Sequence, residues 1–180
     1  MRVVEGVAEI DDVGAFVESL GAVGERHGVT VQAFDARYVV DRAHLELAVD
    51  LATRAHARDD AIAENFGVEI LLYAAGRRQI NRALEMGVSE GECPVVVAIV
   101  GGDDSNSHVG KISGGGENDD ATTAAAAAVR DLLAPGSTLG EYDDERVRAF
   151  FDVTDAELDA TAGGLADAVR ERVALLPVEK

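Results

Sequence analysis

The residues best suited to chemistry are Arg77, Arg78, Gln79 and Ile80, with Arg82 one step further on. Two adjacent guanidinium groups offer planar, permanently charged donors matched to phosphate or carboxylate oxygens. A neighbouring glutamine can read a nucleobase edge, and Ile80 or Tyr73 can lie against a base face. The setting sharpens the point, since from Phe66 to Leu84 the only acid is Glu69 while three residues are Arg. The sequence predicts that a short helix, "RRQINRALEMG", starts after Gly76 with both arginines in its first turn. There they face the positive end of the helix, at a cost of a few tenths to about 1 kcal/mol each. Free N–H groups in that turn would add to an anion site, and Gly76 would let a ligand approach closely. Pairing of both arginines with surface carboxylates accounts for the same residues equally well.

The remaining candidates are weaker. "GKISGGG" (110–116) has the Gly-Lys-x-Ser look of a phosphate loop, but Ser105 stands where the earlier Gly is needed and Ile112 follows Lys111. The competing function class, a small nucleotide-binding enzyme, would have to use that segment. His27, His44, His56 and His108 show no metal-ligand spacing, and His44 falls on an apolar helix stripe, as a core or interface histidine would. Counted from Asp103, the twelfth position of a calcium loop is Gly114 rather than Glu. Cys93 is the single cysteine, so there is no internal disulfide and no Cys pair to hold zinc. No catalytic centre emerges, and no cofactor is implied.

The elements that must position these residues follow from periodicity. A strand is expected over 2–10, then a helix capped by Asp11 or Asp12 with Val13, Phe16, Val17, Leu20 and Val23 on one face. Residues 29–40 read as extended. Asp41 caps a helix over 42–60 whose buried stripe is His44, Leu47, Ala48, Leu51, Ala52 and Ala55. "AIAENF" (61–66) reads as a helical piece and "VEILLYAA" (68–75) as a central strand, apolar on both faces. With a second buried strand over 93–103, the spacing fits a βαβ crossover, with an antiparallel return as the alternative. Residues 103–120 read as a flexible loop, followed by an alanine-rich helix capped by Asp119 or Asp120. A helix carrying Val147, Phe150 and Phe151 comes next. The capping box Thr154 to Glu157 then opens one long helix with the stripe Leu158, Ala162, Leu165, Val169, Val173 and Leu176. The sum is a single α/β domain, a mixed central sheet flanked by helices on both faces.

Length fits one domain with a full core. The formal net charge is -18, spread along the chain, and only Lys111 and Lys180 are lysines. Self-repulsion of that size is screened within about 3 Å at 1 M salt, which points to a salty cytoplasm such as that of a halophilic archaeon. The acidic balance runs against the usual basic footprint of a nucleic-acid binder, a test that loses force at high salt. No membrane partner is expected, because no run approaches about 18 apolar residues and no signal-peptide core opens the chain. The protein is expected to be cytoplasmic.

Two segments carry a family resemblance. "EILLYAAGRRQINRALEMGV" (69–88) resembles the E-I-L-L-Y-x-A-G-x-R-Q-I-x-x-A signature of the small kinase-binding subunit of the KEOPS complex, the PRPK-binding-protein family. "FDARYVVDRAHLELAVDLATRAH" (34–56) resembles the same family's F-D-A segment. The stretch 103–120 and the alanine run after it match nothing in that family and read as lineage-specific. The resemblance implies a non-catalytic subunit of the assembly that makes threonylcarbamoyladenosine in tRNA. It would bind and stimulate a small atypical kinase/ATPase and recruit the tRNA 3′ CCA end. It also implies that Arg77, Arg78, Gln79, Ile80 and Arg82 contact the tRNA tail, with Arg54 and Arg58 as further cations nearby. For the kinase surface the candidate is the C-terminal stripe Val169, Val173 and Leu176, whose residues one by one suit a core position better.

Overall fold

The computed structural model describes residues 1–102 and 115–178. The chain runs β1 (Arg2–Ile10), α1 (Val13–His27), β2 (Val29–Asp35), a 3-10 turn (Ala36–Tyr38), α2 (Arg42–Ala57), α3 (Phe66–Ala75) and α4 (Ile80–Ala83). A second 3-10 turn (Leu84–Met86) leads to β3 (Gly91–Gly101), α5 (Gly115–Asp131), α6 (Asp144–Phe151), α7 (Asp155–Ala160) and α8 (Leu165–Leu175). The strand order is β1-β3-β2, and both outer strands run antiparallel to β3. The α/β class with helices on both faces therefore holds, but among the described residues the sheet is antiparallel throughout instead of mixed, with no βαβ crossover.

β3 explains its own sequence. Every side chain from Val95 to Val100 is buried, because alternate residues enter two different cores. Val95, Val97 and Ile99 pack with Leu20 and Val23 of α1 and with Val129 of α5. Val96, Ala98 and Val100 face the larger core, built from α2, α3, α6 and α8. Pro94 lies one residue beyond the end of the pairing with β2.

The segment expected as a central strand is α3, which accounts for the missing crossover. Asn65 caps it, its side chain accepting from the Val68 N–H at 3.1 Å, and Gly76 ends it at φ 58°. A helix apolar all round is a buried helix, and all but one residue of α3 are buried. The expected helical piece at 61–66 does not form before Phe66. The fully buried Glu69 carboxylate takes the N–H groups of Ile62 and Ala63, holding that stretch as a loop on α3.

Three further corrections have local causes. On α2 the buried residues include Leu45 and Val49, while Leu47 and Leu51 are only half-buried, because the helix packs on both α3 and α8 and so turns a broader face inward. The long C-terminal helix is two helices, separated at Gly163 and Gly164. Thr154 caps only the first of them, accepting from the Glu157 N–H. α5 begins at Gly115, so Asp119 and Asp120 lie inside it instead of capping it. Most of the expected loop, and Gly110 to Gly114 of the 110–116 segment, lie outside the described residues.

Candidate functional site

The site is built on the C-terminus of α3. Helix ends leave carbonyls without partners, and here three of the last four are taken. The N–H groups of Gly76 and Arg77 return to Tyr73 O at 2.9 Å and Leu72 O at 3.1 Å, closing the turn that a left-handed glycine permits. Ala74 O accepts from His44 Nε2 at 2.7 Å. A carbonyl only accepts, so the His44 proton sits on Nε2. The ring is fully buried, edge-on to Phe151 at 5.9 Å, and burial lowers its pKa to about 4 against the opposing pull of the Ala74 bond and the Asp41 charge. His44 is thus a neutral core histidine that ties the 34–56 segment to the 69–88 segment.

Gly76 serves the backbone. Its φ is 58°, and a Cβ there would meet the Arg172 carbonyl of α8 at 3.5 Å. The two arginines then part. Arg77 turns inward: its Nη2 bonds Phe150 O and the Asp152 carboxylate, the latter at 2.8 Å, and its guanidinium stands 5.7 Å from the centre of the Phe150 ring. It clamps the end of α3 to the end of α6. Arg78 turns outward and is exposed, with one long bond of 3.4 Å to Leu176 O. Among the described residues no ion pair joins Arg78 to a carboxylate.

Neither arginine is in the first turn of a helix. They precede α4, which is four residues long, so the positive helix end and its N–H groups supply no anion site here. What remains is a surface ledge. Gln79 is exposed and its side chain makes no capping bond, and Ile80 is 46 % exposed. Arg82 is exposed and pairs with Glu85 at 2.6 Å. Tyr73, by contrast, is buried and cannot lie against a base; burial and the nearby Glu69 charge raise its phenol pKa.

Arg54 and Arg58 are not brought to this ledge. α2 and α3 run antiparallel, with His44 against Ala74 at one end and the His56 ring against Phe66 at the other. The two arginines at the end of α2 therefore stand about a helix length, roughly 15 Å, from the Arg78 end. Arg54 is also paired with Asp50. The stripe proposed for the kinase, Val169, Val173 and Leu176, is 0 %, 0 % and 1 % exposed and belongs to the larger core. A cleft along the outer edge of β2 carries no motif that sequence reasoning would find; its only signal is two exposed aliphatic residues, Val17 and Leu84.

The model of one protein family, described as kinase binding protein CGI-121, matches residues 13–176, a span that contains both the 34–56 and the 69–88 segments. No curated protein matches the chain.

Proposed function

The chain belongs to the CGI-121 family of kinase binding proteins, and on that premise we propose that it is the non-catalytic regulatory subunit of a KEOPS complex. In this role it binds and stimulates the small atypical kinase/ATPase subunit and brings tRNA to the assembly by its single-stranded 3′ CCA end. The observation that carries the tRNA part is the split between the adjacent arginines. Arg77 is used by the fold, while Arg78, Gln79 and Ile80 stand exposed in sequence, as a cation, an amide and an aliphatic surface. A single-stranded tail calls for that combination: charge for a phosphate, a donor and acceptor for a base edge, and a flat apolar contact for a base face. The net charge of -18 opposes RNA at long range. In concentrated salt that repulsion is screened within about 3 Å, and contact-range groups decide binding.

A protein-only scaffold is the second reading, favoured by the pairing of Arg82 with Glu85. Reconstitution with the kinase subunit and tRNA in about 2 M KCl separates the two. The proposal expects ATPase stimulation by the wild-type chain, and an Arg78→Glu variant that still binds the kinase but loses about tenfold in tRNA-dependent activity, a change of about 1.4 kcal/mol. The scaffold reading expects the variant to match wild type in both.

A further inference from the structure

Between Glu69 and Glu90 the chain holds a single acidic residue, Glu85, against three arginines. That acid lies on the ledge, where Glu85 Oε1 accepts from Arg82 Nη1 at 2.6 Å. Among the described residues Glu85 is the one partner of Arg82, and the two side chains stay 49 % and 44 % exposed. Other arginines tie distant parts of the fold together: Arg77 holds the end of α3 to Asp152, and Arg170 of α8 reaches Asp41 at the start of α2. The Arg82–Glu85 pair joins residues three apart on one short turn and anchors nothing beyond it. An exposed local pair of this kind contributes little to stability.

What the pair does set is the charge of the ledge. Arg78 and Arg82 are four residues apart, which keeps their α-carbons within about 14 Å even along extended chain. One single strand can therefore run past both. Arg78 pairs with no carboxylate among the described residues, while Arg82 already holds one. Carboxylate and phosphate oxygens are alternative partners for a guanidinium. A phosphate gains Arg82 only by displacing Glu85, and the displaced carboxylate is left beside it as a like charge.

We propose that Glu85 is a built-in competitor of the RNA phosphate for Arg82, limiting the ledge to one effective cation and keeping its hold on the tRNA tail weak. This rests on the tail-binding role and names the regulation of that site. A recruiting contact has to release each tRNA, and the strength of such a contact is set mostly by how fast it lets go.

Binding of tRNA with and without its CCA end tests it, measured from about 0.3 to 1 M KCl on wild type, Glu85→Gln, Arg82→Gln and the double variant, with folding checked by melting. Asp119→Asn is the control: it removes the same charge from α5, which packs on the other face of the sheet. Glu85→Gln is expected to tighten CCA-dependent binding about threefold to fivefold, mainly through slower dissociation. It should also steepen the fall of log affinity with log salt by about 0.7, the increment of one more phosphate contact on a single strand. In the Arg82→Gln background the same substitution is expected to gain less than about twofold at 1 M KCl, where the field of the lost charge is screened within about 3 Å. Asp119→Asn is expected to gain nothing. CCA-dependent binding by wild type with no gain in Glu85→Gln overturns the competition and leaves the tail-binding role intact. A gain that is undiminished in the Arg82→Gln background, or that Asp119→Asn matches, also overturns it, since Glu85 then acts only as one repelling charge among many. Absence of CCA-dependent binding in wild type and Glu85→Gln alike defeats the tail-binding role, and the competition with it.

Discussion

The Arg77 guanidinium lies between Phe150 O and the Asp152 carboxylate, while its neighbour Arg78 reaches only Leu176 O, just past the end of α8, at 3.4 Å. The same side chain therefore has two different jobs at adjacent positions, and substitution separates them. Arg77→Ala removes a bond to a helix-end carbonyl and a contact on Phe150, with an ion pair discounted for the exposure of Asp152, so a loss of about 1–2 kcal/mol is expected in denaturant unfolding. Arg78→Ala is expected to change stability by less than about 0.5 kcal/mol, and its effect to appear in RNA binding. His44 makes a pH prediction. Its pKa falls from 6.5 to about 4 on folding, so between those values the unfolded chain holds the extra proton and stability rises with pH. The contribution is complete above about pH 6.5 and is lost as pH falls toward 4, on the order of 3 kcal/mol in all. Urea unfolding from pH 7 to 4 should show that slope in wild type and lack it in His44→Gln, which keeps a donor for Ala74 O.

At the scale of elements, α3 decides the architecture. Its all-apolar sequence is ambiguous between a buried strand and a buried helix, because periodicity vanishes when every face is covered. The boundaries carried the distinction, Asn65 as N-cap and Gly76 as the left-handed residue after the last turn. α1 and α2 were legible because each shows a period and a cap, Asp12 and Asp41, and β1 and β2 because their β-branched runs read as extended. The ledge residues were legible as a motif, but their geometry was not, since reading α3 as a strand moved Arg77 and Arg78 into a helix that starts only at Ile80. The inward role of Arg77 depends on α6, more than seventy positions away, which no local pattern encodes. Gly76→Ala forces a left-handed residue with a Cβ and is expected to cost about 1–2 kcal/mol, visible as a lower Tm. Val173→Ala, in the stripe that had the spacing of a kinase surface, is expected to lower global stability by about 2 kcal/mol. Kinase affinity measured on the folded fraction should stay unchanged.

At the scale of the whole molecule, a net charge of -18 surrounds two apolar cores that share one central strand. Screening relieves the repulsion among exposed carboxylates, so the melting temperature is expected to rise between 0.1 and about 2 M KCl. On the proposed tail-binding role, the same screening leaves the one uncompensated cation of the ledge to act at contact range. The account stands or falls on that ledge, and the direct measurement is binding of tRNA with and without its terminal CCA, in about 2 M KCl, to wild type, Arg77→Ala and Arg78→Glu. It predicts that binding requires the CCA end, survives Arg77→Ala once the folded fraction is allowed for, and is lost in Arg78→Glu. Equal binding by tRNAs with and without the tail, or wild-type affinity in Arg78→Glu, would contradict it.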